Sequence, residues 1–430
     1  MKSLGNFLGR LLLIILGLLL PLLVLEIGVR WLDLAPPPEP NPAIWEPHPL
    51  LGWWHIPYSG GLFHGNFNEF EAEVRINARG LRDREIGYDN PKGALRILSL
   101  ADSFGEALQV NLDQTYHKQL EGLLADSLGR SVEVLNAGVG GWGTDQEAIF
   151  YVAEGFRYEP KVVLLAFFVR NDMVNNYGPL ERASIAGSQQ KEFFSLSPSG
   201  ELIPPPMQAE SESKAKAEAS LSLTQPQPGH DSPLLLPLAD GLWQVSALYR
   251  LVVPYLRDIP PVVQKLGPSG ILGGEAVVRA GHPTTPVHFF VYQAPPGEQF
   301  EAAWTLTEAI IKRLRDEVES RGAKLAVIII GAPEQVYPAE WQRMLAANPT
   351  MQALSLDLEL PNRRLNDFLA AENMPHLDLL PIFRQVAARP ENPPLHFRHD
   401  GHWTVAGHRL AAEAIHDFLR SELGSFSQSE

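Results

Sequence analysis

Four segments lying far apart in the chain carry residues that together can attack an ester. The first, "RILSLADSFGEA", runs from an apolar strand pattern straight into Asp102, Ser103 and Gly105. A serine just past a buried strand, at the start of a helix, can expose its hydroxyl and aim its own backbone N–H at a developing oxyanion. Ser and Asp are also ordinary turn and cap residues, so this segment taken alone reads equally as a helix start. The second, "VLNAGVGGWGTDQE", leaves its strand through Asn136 and supplies Gly138, Gly140, Gly141 and Gly143. Backbone without a Cβ can approach a substrate and present an N–H. The lysine and full spacing of a phosphate-cradling loop are missing. In the third, "VVLLAFF" ends in "VRNDMVNN", where Asn171 can offer a carboxamide, although Asn171 and Asp172 taken singly also read as caps. A hydroxyl, a glycine amide and a carboxamide at three successive strand ends are the parts of a serine nucleophile with a three-donor oxyanion hole.

Such a nucleophile needs a base, and "LHFRHDGHWTVAGHRL" supplies Asp400 and His402 just before a last helix. Histidine accepts a proton near neutral pH, and a carboxylate on its other nitrogen fixes the tautomer and stabilises the imidazolium. The alternative for this segment is metal binding by His396, His399, Asp400 and His402, which leaves the Ser, Gly and Asn sites without a role. The chain has no cysteine, which excludes a thiol nucleophile, disulfides and thiolate metal sites. Its formal charge is -15, with 35 Lys and Arg against 50 Asp and Glu, so nucleic acid is not an expected partner.

These residues must be positioned by a scaffold. "RILSL", "VEVLN", "VVLLAFF" and "KLAVIII", with a weaker "HLDLL", are apolar on both faces, as central parallel strands are. Between them Tyr116, Leu120, Leu124 and Leu128 recur at helical spacing before Gly129, and Leu306, Ile310, Leu314 and Val318 before Gly322. Ala406, Leu410, Ala414 and Phe418 mark the last helix. Strand alternating with helix predicts a doubly wound α/β sheet whose site lies beyond the carboxyl ends of the strands. Upstream, "EFEAEVRIN" alternates charged and apolar residues, the period of a half-buried strand.

The N-terminus has a different character. "RLLLIILGLLLPLLVLEIGVRWL" is almost unbroken apolar from Leu11 to Leu25, enough to reach across a hydrocarbon core of about 30 Å, and no small-x-small cleavage site follows it. Residues 1–34 therefore read as an uncleaved transmembrane anchor. Lys2 and Arg10 before the run point to a cytoplasmic N-terminus and an exported remainder. The prolines of residues 35–50 predict a stiff extended linker. Residues 51–422 form the expected catalytic domain, with an insertion at 177–300 and a polar tail at 423–430. Within the insertion, the polar stretch from Pro204 to Pro233 predicts no packed core, whereas "LWQVSALYRLVVPYL" predicts structure. The insertion reads as part lid and part disordered loop.

In these motifs the chain resembles the SGNH, or GDSL-like, hydrolase superfamily, whose blocks supply Ser, Gly, Asn and His in that order. The matching residues are Ser103 in "ADSF", Gly141 in "NAGVGGWGT", Asn171 in "RND" and His402 in "HDGHW", with Asp400 as the acid. It looks in particular like bacterial members with one N-terminal membrane helix, a leader ending in "INARGLRD" and a closing "DGHWTVAGHRLAAEAI". The resemblance implies a flavodoxin-like three-layer α/β/α sandwich with a central parallel sheet, no metal, no cofactor, and ester hydrolysis or O-acyl transfer. It implies catalysis by Ser103, His402 and Asp400 and an oxyanion hole from Ser103, Gly141 and Asn171.

Ala101 and Val169 stand where the family commonly has glycine. Asp400 and His402 are separated by one residue where many members have two, a spacing that resembles SGNH-like acetyltransferases of exported polysaccharides. The expected function is thus a membrane-anchored serine esterase acting on O-acyl groups of an extracytoplasmic glycan or a small ester. The alternatives are an O-acyltransferase served by a multi-span membrane acyl donor, and an inactive envelope scaffold or glycan-binding module.

Overall fold

The computed structural model describes residues 2–184, 191–205, 233–257, 259–280 and 285–426, and within the first helix the side chains of Leu13 and of Leu16 onward. The chain divides into two compact units: Met1–Pro40 with His64–Glu69 and His230–His282, and Asn41–Phe63 with Phe70–Gly229 and Pro283–Glu430. Most of the polar stretch of the insertion, residues 206–232, and the last residues of the tail lie outside the described residues.

The first unit is helical. Its longest element, α1, spans Lys2–Trp31 and contains Glu26, the charge that interrupts the apolar run. The Glu26 carboxylate accepts hydrogen bonds from the Ser246 hydroxyl at 2.8 Å and from the Ala247 and Leu248 amides at 2.8 and 2.9 Å. It thereby satisfies the exposed amides at the start of the helix Ala247–Arg257. The part of the insertion within His230–His282 thus joins the N-terminal helix in one unit. Among the described residues no helix is long and apolar enough to cross a membrane. The expected span is thus not met among the described residues, and Glu26, at the end of the apolar run, bonds protein partners.

The second unit holds the sheets. Two short strands, β1 (Trp45–His48) and β2 (Gly52–His55), pair antiparallel, and β3 (Gly60–His64) pairs with β4 (Glu71–Arg75). In β4 the predicted alternation holds, with Ala72 and Val74 buried and Glu71, Glu73 and Arg75 exposed. The central strands are β5 (Leu95–Ala101), β6 (Val132–Gly138) and β7 (Val162–Phe168). After a two-residue ladder of β8 (Ser195–Leu196) and β9 (Leu202–Ile203) come β10 (Lys324–Ile330) and β11 (His376–Asp378). The main sheet has the order β11-β10-β7-β5-β6, every neighbour parallel. The five apolar runs of the sequence are these five strands.

Each face of the sheet is covered, which is why the strands are apolar throughout. Val163, Leu165 and Phe167 of β7 belong to one apolar cluster with Ile310 and Leu314 of the helix Glu298–Ser320. Val162, Leu164, Ala166 and Phe168 belong to another, with Leu120 and Leu124 of the helix Tyr116–Leu128 and with Ile415 of the helix Val405–Phe426. Alternate residues of one strand thus feed opposite layers. The last helix is where the sequence placed it, but its buried seam is His408, Ala411, Ala412, Ile415 and Leu419. The expected Ala406, Leu410, Ala414 and Phe418 are half-buried. Those four pack against the same apolar cluster from the edge of the buried seam.

Candidate active site

The site is built at the carboxyl end of β5. There Asp102 leaves the strand and caps the four-residue helix α2, Ser103–Glu106, its Oδ1 accepting the Phe104 N–H at 2.8 Å. This turn places Ser103 at the helix start with its side chain partly exposed. Ala101 fits because the residue at 105 is glycine: a Cβ there would stand 2.3 Å from the Ala101 Cβ. Ala101 lies opposite Gly138 of β6 and Ala166 of β7, so the strand ends bearing the other predicted residues flank the serine's own.

His402 meets Ser103 across nearly the whole chain. Its Nε2 lies 2.8 Å from the Ser103 Oγ, and its Nδ1 lies 2.7 Å from the Asp400 Oδ1. A carboxylate only accepts, so Nδ1 carries a hydrogen and the neutral ring turns its lone pair at Nε2 toward the hydroxyl. The one-residue spacing works because Gly401 has φ 85, a left-handed turn that brings the carboxylate back over the ring. The same Oδ1 accepts the backbone N–H of His402 at 3.1 Å. Both side chains keep 24% of their surface exposed, enough for a substrate to reach them.

The electrostatics suit proton transfer. Burial disfavours the imidazolium, but the charge and hydrogen bond of Asp400, with help from Asp102, outweigh it and raise the His402 pKa above 6.5. Arg170 acts in the opposite sense. Burial alone would raise the Asp400 pKa, yet the interaction with His402 holds it below the ordinary 3.8. The carboxyls of Asp102, Glu147 and Asp172 are fully buried. Burial first, then repulsion among these groups, pushes Glu147 and Asp172 well above the ordinary carboxylate range.

One of the predicted donors bonds the turn at Ser103 directly. Asn171, at the end of β7, donates from Nδ2 to the Asp102 Oδ2 at 3.2 Å. A carboxamide has two N–H bonds, and this contact uses one of them. Gly141, three residues beyond β6, has φ 77, a conformation that glycine adopts without strain. The four histidines and acids weighed as metal ligands do not converge: no group of three His, Asp or Glu among the described residues is placed to hold a metal ion. His396 instead lies buried with its Nδ1 3.4 Å from the Tyr337 hydroxyl.

Sequence reasoning missed three neighbours. Gln109 donates from Nε2 to the Asp400 Oδ2 at 3.5 Å. Arg170 pairs with Glu334 at 3.2 Å, and Trp53 donates from its indole to the Gly140 carbonyl at 3.0 Å. Arg170 had a signal, standing directly before Asn171; Gln109 and Trp53 had none, because nothing in their own segments points to these contacts.

Residues 292–430 match the family model described as SGNH hydrolase-like domain, acetyltransferase AlgX. The matched residues are thus similar to an SGNH hydrolase-like domain. The matched range contains Asp400 and His402 and lies downstream of Ser103, Gly141 and Asn171. Comparison with curated proteins gives no match. Among solved structures, a catalytic mutant of an acetylxylan esterase from Geobacillus stearothermophilus is similar, with 11% identity and a TM-score of 0.35 over 76% of this chain and 95% of that one. A GDSL-like lipase from Bacteroides thetaiotaomicron is similar with 8% identity and a TM-score of 0.33 over 78% of this chain and 93% of that one.

Proposed function

We propose that the protein is a membrane-anchored serine esterase that hydrolyses O-acyl groups, foremost O-acetyl, of an extracytoplasmic glycan or similar ester. Ser103 attacks the carbonyl carbon as His402 takes its proton, and Asp400 holds the ring in the required tautomer. The Ser103 and Gly141 amides and the Asn171 carboxamide receive the oxyanion. His402 then returns the proton to the leaving alcohol, and a water activated by the same imidazole releases the acid. The observation that carries this reading is the unbroken chain from the Asp400 carboxylate through His402 to the Ser103 hydroxyl, at 2.7 and 2.8 Å. The strand order, which counted from Leu95 is 2-1-3-4-5 from the β6 edge, supports the flavodoxin-like form of the fold and puts Ser103 where connections diverge on either side of β5.

Asn171→Ala tests the oxyanion assignment apart from the triad. Loss of one donor is expected to lower kcat about 100- to 1000-fold with little change in KM. A rate equal to wild type removes Asn171 from the hole.

Acyl transfer is the second reading, supported by the acetyltransferase description of the matched family and by the Asp400-Gly401-His402 spacing. Here an acyl donor, delivered by a multi-span membrane protein, loads Ser103 and a sugar hydroxyl replaces water. Acetate released from an acetylated sugar with no acceptor present supports hydrolysis; acylated acceptor without free acetate supports transfer.

Anchoring rests on α1. Leu13, Leu16, Leu18, Leu19, Leu20 and Leu22 are each at least half exposed, apolar surface that lipid would cover. Full-length protein is therefore expected in the membrane fraction, released by detergent and not by alkaline carbonate. Release by carbonate alone overturns the anchor. The catalytic unit lies outside the cytoplasmic membrane in this reading, with Lys2 and Arg10 inside.

A further inference from the structure

Gly140 and Gly141 share one planar peptide group, so the direction of the Gly140 carbonyl fixes the direction of the Gly141 N–H opposite to it. The carbonyl is held from outside the sheet. The Trp53 Nε1 donates to it at 3.0 Å, and the edge of the same ring, at Cζ2, would stand 3.4 Å from a Cβ at Gly141. Trp53 is held in turn by Trp142, whose indole donates to the Trp53 carbonyl at 3.3 Å. On the other side of the turn lies Glu106, the last residue of the helix that Ser103 begins. Its Oε2 would be only 2.7 Å from a Cβ at Gly140. The Glu106 carboxylate is fixed by the Trp45 Nε1 and the His55 Nε2, each 2.7 Å from Oε1. The glycine turn is thus gripped between a tryptophan of the leader and a buried carboxylate of the nucleophile helix.

We propose that Trp53 is a positioning residue of the oxyanion hole: by bonding the Gly140 carbonyl it aims the Gly141 N–H at the substrate and polarises that peptide into a stronger donor. Polarisation along a hydrogen-bonded chain strengthens each bond, and a donor aimed before reaction costs no reorganisation during it. Trp53 touches no reacting atom in this account. The inference rests on the serine esterase reading and adds to it a residue from the leader, far from all four family blocks.

Two variants test it. Trp53→Phe removes the donor and keeps an aromatic ring; Trp53→His has a ring nitrogen at the position of the indole N–H. Trp53→Phe is expected to lower kcat about tenfold with KM within about twofold, and Trp53→His to recover most of that loss. A merely structural role would make both replacements similar, since both lose the larger ring. Labelling of Ser103 by a fluorophosphonate, which loads the same hole, should slow in parallel. Equal kcat and labelling rates in Trp53→Phe and wild type, a loss confined to KM, or Trp53→His no better than Trp53→Phe each overturn the proposal. A wild type that cleaves no ester overturns the esterase reading instead, and the labelling rates still decide the role of Trp53.

Discussion

Ser103→Ala is expected to lower kcat about a million-fold, to the level at which only binding and the oxyanion donors act. The reason is geometric. The His402 Nε2 is 2.8 Å from this hydroxyl, so the mutation removes the atom that forms the covalent bond and the proton that the imidazole accepts. Folding should be untouched: the serine is partly exposed, and the turn around it is held by the Asp102 carboxylate and by backbone bonds such as Glu106 N to Asp102 O at 2.9 Å. Thermal melting together with acid release from acetylated sugars and short-chain aryl esters measures both. Fluorophosphonate labelling that vanishes with Ser103→Ala shows the same loss at the level of the bond. A variant retaining a tenth of the wild-type rate would defeat the nucleophile assignment, whereas folded wild type that takes no label and cleaves no ester would favour the scaffold reading.

Asp400→Asn is the second large effect, about 10,000-fold in kcat. A carboxamide can donate to Nδ1, which moves the ring hydrogen to Nε2 and leaves no lone pair facing the serine. A pH signature accompanies the loss. His402 works as a base only when neutral, and its pKa is raised above 6.5, so wild-type activity is present at high pH and falls as pH drops through a value above 6.5. Burial opposes the charged ring and Asp400 is the largest influence favouring it, so Asp400→Asn should move the acid limb of kcat/KM to lower pH. A slow variant whose acid limb stays in place would mean that another group titrates. Gln109 donates to the far oxygen of Asp400, and its removal is expected to lower kcat by less than the loss of the carboxylate does.

The membrane, hydrolase and transferase readings meet at one chemical question, the fate of the acyl group on Ser103. Transfer requires that an acceptor hydroxyl reach the acyl-enzyme before water does. The quarter-exposed His402 and Asp400 leave room for either.

Much of this architecture could be read in the linear chain. Strands β5, β6, β7 and β10 are apolar on both faces, a local property that burial from two sides requires, and each appears where its run of Val, Ile and Leu stands. Ser103, Asn171, Asp400 and His402 could be singled out because they follow such strands or precede the last helix, and because together, though not singly, their types make one set. Gly129, Gly141 and Gly401 take positive φ angles that glycine permits without strain, whereas Gly138, Gly140 and Gly143 do not, so residue type allowed these turns without fixing them.

Other features were decided only by folding in three dimensions. The contact between Ser103 and His402 joins residues 299 apart, and the bond from Trp53 to Gly140 joins residues 87 apart. Helical spacing likewise named the last helix. Its Ala406, Leu410, Ala414 and Phe418 pack at the edge of a seam that is most deeply buried at Ala411, Ala412, Ile415 and Leu419, because the depth of burial depends on the neighbour a helix meets. The pairing of Glu26 with the start of the helix Ala247–Arg257 united two segments that the sequence separates by more than 200 residues. Hydrophobic period and residue type act over a few neighbours along the chain, whereas the direction of one peptide group or one carboxylate is set by whatever packs against it from elsewhere.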